Sequence, residues 1–144
     1  MSITIERVLG ASSYGVRAVV RHAGRALTVD LAASLDEATR AIGQPLAVEL
    51  GFTEVLSWRV LPRDSRPMHG LFPTDEGAAR DVRIVGAVHD ILQLADGKVL
   101  FDVYVQSGPE FVTFLSEDLR GQPPELRDSV EAFVRGLCCY PTWS

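Results

Sequence analysis

The sequence predicts a mainly β fold, α+β only at its margin: one small antiparallel β-barrel or sandwich carrying one short helix. Three observations lead there. Apolar-rich runs at residues 88–95 and 98–105 flank Asp96-Gly97, a pair that favours a tight type I′ hairpin turn. Period-two alternation of apolar and polar residues recurs along most of the 144 positions. One stretch alone carries the start, spacing and stop of a helix.

Residues 14–22 place Val16, Ala18 and Val20 on one face and Arg17 and Arg21 on the other. After a short turn at Ala23-Gly24, Leu27, Val29 and Leu31 alternate with Thr28 and Asp30, which completes a hairpin with one dry face. The helix is expected over 35–42, with Ser34 as its cap, Glu37 completing a capping box and Gly43 as the stop. It is short, so it should plug one end of a sheet. Residues 46–60 are apolar at every even position except Glu54. That length exceeds a usual strand, so a bend near Gly51, or two strands joined around Thr53-Glu54, is expected. A loop over 62–79 holds three prolines and two glycines. Strands resume at Asp81, Ser107-Gly108-Pro109 turns the chain into a strand at 111–115, and Ser116-Glu117-Asp118 opens a helical turn. A last strand runs over 129–140.

The chain reads as one domain, 1–144, with halves 1–61 and 80–144 joined by the 62–79 loop. Strand 27–31, a Ser-opened helical turn and strand 46–51 echo strand 111–115, Ser116-Glu117-Asp118 and strand 130–136. Few residue identities support the echo. Two matched halves would pack as one pseudo-symmetric barrel or as two subdomains. Residues 82–140 resemble an OB-fold in element order: a long bent strand, a hairpin, a short helical connector and a closing strand. The resemblance implies a sheet face that binds single-stranded nucleic acid, oligosaccharide or a small ligand.

Composition narrows the partners. The formal charge is −5, which gives no reason to approach phosphate backbones or anionic lipid, so neither nucleic acid nor membrane is an expected partner. Thirteen Arg against one Lys, with no Asn, suggests a GC-rich genome. The first seven residues lack a basic segment followed by an apolar one, so no signal peptide is read, and a cytoplasmic location is expected. Cys138 and Cys139 are adjacent, point to opposite faces of a strand and are expected as two reduced thiols. His22, His69 and His89 lack a second ligand at metal spacing, and neither phosphate-cradling glycine pattern occurs, so no metal or cofactor is expected.

Two groups of residues are candidates for function. With a two-residue Asp96-Gly97 turn, Leu92 faces Phe101, Ile91 faces Asp102 and His89 faces Tyr104. His89, Asp102 and Tyr104 then share a face, and an Asp orienting a His is half of an acid–base site. No nucleophile accompanies them, so a solvated sheet face is the plainer reading. Asp90 interrupts the apolar face and marks a bulge or a sheet edge. The second group lies in the long loop, where Met68, His69, Leu71 and Phe72 sit between prolines and are flanked by Arg63, Arg66, Asp75 and Glu76. Either this is an apolar tip held out for a partner, or Leu71 and Phe72 fold back over a barrel end. Trp58 reads as core by parity, and Trp143 as a docked tail or a partner contact.

These features favour a small acidic cytoplasmic protein that recognises a protein partner, with an inhibitory role like that of immunity proteins that neutralise toxins. The alternative is an OB-like barrel for a small ligand, an oligosaccharide or single-stranded nucleic acid.

Overall fold

A computed structural model describes residues 1–74, 81–105, 110–119, 121 and 123–142. Strands β1 (Ser2–Ser12), β2 (Gly15–His22) and β3 (Arg25–Leu31) form a meander, followed by helix α1 (Leu35–Ala41) and β4 (Pro45–Gly51). Next come β5 (Glu54–Val60), β6 (Gly70–Pro73), β7 (Asp81–Gln93), β8 (Val99–Tyr104), β9 (Phe111–Leu115), β10 (Ser129–Arg135) and β11 (Cys138–Pro141). The protein is a closed five-stranded barrel, β1-β2-β3-β11-β4, beside a second sheet ordered β5-β10-β7-β8-β9, with β6 alongside β7.

The local chemistry explains most boundaries. Val16, Ala18, Val20, Leu27, Val29 and Leu31 are all buried, so the alternation in β2 and β3 marks the barrel interior. β1 is an addition to the sequence reading: Ile3 and Ile5 alternate inward, and its pairing to β4 from Ser2↔Ala47 to Thr4↔Pro45 closes the barrel. Helix α1 has both halves of the expected capping box. Ser34 Oγ accepts from Glu37 N at 3.1 Å, and Glu37 Oε1 accepts from Ser34 N at 3.0 Å. The bond from Ser34's backbone N–H, and then its hydroxyl, holds the Glu37 carboxyl below its usual range.

The two sheets share one plan. In the first, β4 returns to lie beside β1 of the β1-β2-β3 meander; in the second, β10 returns to lie beside β7 of the β7-β8-β9 meander. Each is a four-strand Greek key with a helical turn before its fourth strand, the Ser116–Asp118 turn being the counterpart of α1. The echo in the sequence is therefore an echo in topology. The fifth strands are exchanged. β5 follows β4 in sequence but pairs with β10, and β11 follows β10 but pairs with β4 and, in parallel, with β3. This corrects one expectation: residues 129–140 are two strands in different sheets.

The exchange occurs where two short connections cross. Thr53 N donates to Arg135 O at 2.8 Å, and Asp30 N donates to Leu137 O at 3.0 Å. Gly136 has φ +72, and a Cβ there would run into the Thr53 side chain. Only glycine meets both demands without strain. One continuous apolar core spans the crossing and joins the inner faces of both sheets, from Ile5, Val20 and Val29 to Ile84, Phe114 and Val134.

Two bulges reset the parity read from the sequence. Leu56 is left out between the Ser57↔Phe133 and Val55↔Val134 pairs and is exposed, whereas Trp58 packs on the core as expected. His89 is left out between Val88↔Val103 and Asp90↔Asp102. The Asp90 anomaly thus lies next to a bulge. At the hairpin tip Leu94 N donates to Lys98 O and Gly97 N donates to Leu94 O, giving a three-residue loop, 95–97, in place of the expected two-residue turn. Gly97 has a positive φ and Asp96 does not, so the type I′ shape, which needs two, is not formed. The extra residue slips the register, and Leu92 pairs with Leu100 instead of facing Phe101. The type I′ geometry occurs instead at Ala23-Gly24, with φ +50 and +80.

The long loop folds back. Leu71, 1% exposed, belongs to the core, and Phe72 lies between the guanidiniums of Arg25 and Arg83, 4.3 and 4.5 Å from its ring centre. The expectation of a protruding tip is corrected for these two residues: β6 pairs with the edge of β7, which turns Leu71 inward. Residues 75–80, including Asp75 and Glu76, lie outside the described residues, as do Ser107-Gly108-Pro109 and Trp143.

Three substitutions test this architecture by urea denaturation. Leu71→Asp should cost about 3 kcal/mol or more, since it removes core packing and buries a charge. Gly136→Ala should cost about 2 kcal/mol or more through backbone strain and collision with Thr53. Ser34→Ala, losing the helix cap, should cost about 1 kcal/mol.

Candidate binding surface

With the inner faces consumed by the core, function falls to the outer ones. The outer face of β7-β8-β9 carries three rows set by the observed register. Leu92, Leu100 and Leu115 form one row, and Asp90, Asp102 and Thr113 the next. The third is aromatic: His89 lies on Tyr104 with ring centroids 4.1 Å apart, and Tyr104 stacks on Phe111 at 5.6 Å. The bulge matters here, because it turns His89 toward Tyr104 instead of leaving it in the strand's regular alternation. Leu92 is 57% exposed and Phe111 42%, unusual for side chains of their size on a sheet face.

The sequence brought His89, Asp102 and Tyr104 to one face, and the structure places them there. It gives them a different relation from the one an acid–base site needs. Asp102 Oδ1 accepts from Thr113 Oγ1 at 2.7 Å, and among the described residues no hydrogen bond joins Asp102 to His89. The imidazole is therefore part of an aromatic row and is not oriented by a carboxylate. Leu92 and Phe111 were missed as site residues. A one-residue change in hairpin register moves Leu92 between faces, and nothing in the sequence specifies that change. Of the loop candidates, Met68 (69% exposed) and His69 remain at the surface, Phe72 is half-buried between two guanidiniums, and Leu71 is core.

A cleft of about 500 Å³ adjoins the aromatic row, running between β9 and β4. Phe111 and Thr113 line one side, and Ala47, Glu49, Thr142 and Met1 the other. Its volume is within the range of small-molecule sites. Next to Phe111 and Met1 is a part-buried pair: His22 Nε2 lies 2.8 Å from Glu110 Oε2, and Ser2 N donates to Glu110 Oε1 at 3.3 Å. The other ring nitrogen, Nδ1, is buried without a hydrogen-bond partner among the described residues. This pair fastens the barrel to the start of β9.

The other titratable cluster lies on the barrel exterior. Arg17 Nε is 3.7 Å from the buried Asp30 carboxylate, and Cys138 pairs in register with Asp30. Burial pushes the Cys138 thiol up, opposed by a hydrogen bond with Tyr140 and reinforced by the Asp30 charge. Burial, then the neighbouring Cys138, pushes Cys139 up to about 12. Raised values disfavour the thiolate, the opposite of what a nucleophilic cysteine requires. Among the described residues no three His, Cys, Asp or Glu side chains gather to hold a metal ion, and no helix is long and apolar enough to cross a membrane.

The thiols supply a pH test. Cys139 ionises from an ordinary value of 9.0 once unfolded and only near 12 when folded, so unfolding releases its proton. The stability contributed by that protonated thiol is complete below pH 9 and is lost as pH rises toward 12. The urea midpoint should fall across that window, and less steeply in Cys139→Ala. Both thiols should resist iodoacetamide at pH 8 and react once denatured; prompt alkylation of the folded protein would contradict the burial argument. The chain matches no family model, no curated protein and no solved structure.

Proposed function

We propose that the chain is a small acidic cytoplasmic binding protein that recognises a protein partner through the outer face of β7-β8-β9. One observation carries the reading: an exposed apolar and aromatic surface, with Leu92 and Phe111 at its ends, is divided by the Asp90 and Asp102 carboxylates. Apolar rows supply the area that drives association, and aromatic residues anchor interface centres. Two carboxylates between them favour a partner that inserts a basic side chain, and the overall charge of −5 steers such a partner in. An inhibitory, immunity-like role fits this chemistry, since an acidic protein can cover a basic functional surface.

A second reading has its own observation. The cleft beside Phe111 offers the Glu49 carboxylate, the Thr113 and Thr142 hydroxyls and an aromatic ring, which suits an oligosaccharide better than a phosphate-bearing strand.

The test replaces Leu92 with Arg and Phe111 with Gln and uses the tagged double variant as bait beside the wild type. The expected result is loss of a protein captured by the wild type, identified by mass spectrometry, with an unchanged melting temperature. Capture of the same protein by the double variant removes the proposal. Retention on a glycan array, abolished by Phe111→Gln alone, would favour the second reading.

A further inference from the structure

The other half of the second sheet has an outer face of a different chemistry. Residues 61–69 leave β5 at one edge and reach β6 at the opposite edge, so they cross over the outer face of β10 and β7. The strap is tied at one end, where Leu61 N donates to Ser129 O at 2.8 Å, and at the other, where Arg25 Nη2 lies 3.0 Å from Met68 Sδ; within it Ser65 N and Oγ both donate to Pro62 O. Beneath it is a groove of about 490 Å³. Val85, on the outer face yet 1% exposed, forms its floor with Leu61, and Pro62, Pro67 and Met68 form its apolar walls.

Two guanidiniums reach into this groove. Arg59, Glu131 and Val85 occupy one cross-strand row, and Arg83 lies in the next. Glu131, its side chain 13% exposed, holds both: Arg59 Nε donates to Oε1 and Arg83 Nη1 to Oε2, each at 3.0 Å. Arg83 is also braced against Phe72. The shared carboxylate fixes the two cations and offsets one, and the Arg25 guanidinium lies beside them at Met68 and Phe72, so the groove stays cationic. The guanidinium fork matches a planar carboxylate, and the remaining lining is apolar.

We propose that the groove under the 61–69 strap binds a monocarboxylate with an apolar tail, the carboxylate on Arg59 and Arg83 and the tail against Leu61, Val85 and Met68. Both a fatty-acid-like chain and the carboxyl end of an apolar peptide present this chemistry. The site lies on the other half of the same outer face, over β10 and the first half of β7, and stands or falls apart from the proposed partner surface.

The test is an NMR titration of the full chain with propionate, hexanoate, N-acetyl-leucine and inorganic phosphate, followed at the Val85 and Met68 signals. Hexanoate should bind at least about tenfold more tightly than propionate, as expected when three further methylenes are buried. Arg59→Gln, at an exposed edge position, should weaken hexanoate about tenfold while the melting temperature holds. A stronger response to N-acetyl-leucine than to hexanoate would assign the ligand to peptide termini, and the reverse to alkyl chains. The proposal is overturned if phosphate binds as tightly as hexanoate, if chain length has no effect, if Arg59→Gln binds hexanoate unchanged, or if no shift occurs at about 10 mM ligand.

Discussion

The fold depends on one crossing. Phe52-Thr53 carries the chain out of the barrel, and Gly136-Leu137 carries it back; the two connections touch where Gly136 lies against Thr53. Because each unit receives its fifth strand from the other, neither sheet is complete without the far end of the chain. The barrel is closed by β11, contributed some ninety residues after β4. The cost of bringing such distant segments together grows slowly with separation and is offset by a core that no single half could bury. A residue bulkier than glycine at position 136 would obstruct both connections at once.

Secondary fastenings hold the sheets in the orientation the crossing permits. Phe52 meets Phe114 with ring centroids 5.2 Å apart, which ties the outgoing connection to β9. His22 and Glu110 join the barrel end to the same strand, and Phe72 between Arg25 and Arg83 joins the barrel hairpin to the edge of the second sheet. The His22 Nε2–Glu110 contact at 2.8 Å limits the penalty of placing a carboxylate near apolar surroundings. The cation–π pairs each contribute on the order of 1 kcal/mol.

The division of faces follows from this packing. Inner faces are spent on a common core, so recognition is left to outer faces, and the two halves of the second sheet's outer face contrast in character. The β7-β8-β9 side is apolar, aromatic and acidic. The side beneath the 61–69 strap is cationic and partly roofed. An almost even spread of Arg and acidic residues along the chain conceals this segregation, because cross-strand neighbours such as Arg59 and Glu131 lie 72 positions apart.

Local structure was legible wherever its cause was local. Ser34 and Glu37 announced the helix start, Ala23-Gly24 the β2–β3 hairpin, and the alternation from Val16 to Leu31 the barrel interior. The echo between 27–51 and 111–136 foreshadowed the two-unit plan. Bulges at Leu56 and His89 and the extra residue in the 95–97 loop left no comparable mark, yet each turns subsequent side chains to the other face. Leu92 consequently became a surface residue, and Leu71 became core through pairing with a strand that begins ten residues later. The sequence alone determined that strands would form, where most begin and which residues seek burial, since these are matters of short-range periodicity and capping. Tertiary structure alone decided which sheet β5 and β11 join, and with it which outer surfaces exist, because strand pairing is a competition among distant partners whose backbone hydrogen bonds are chemically alike.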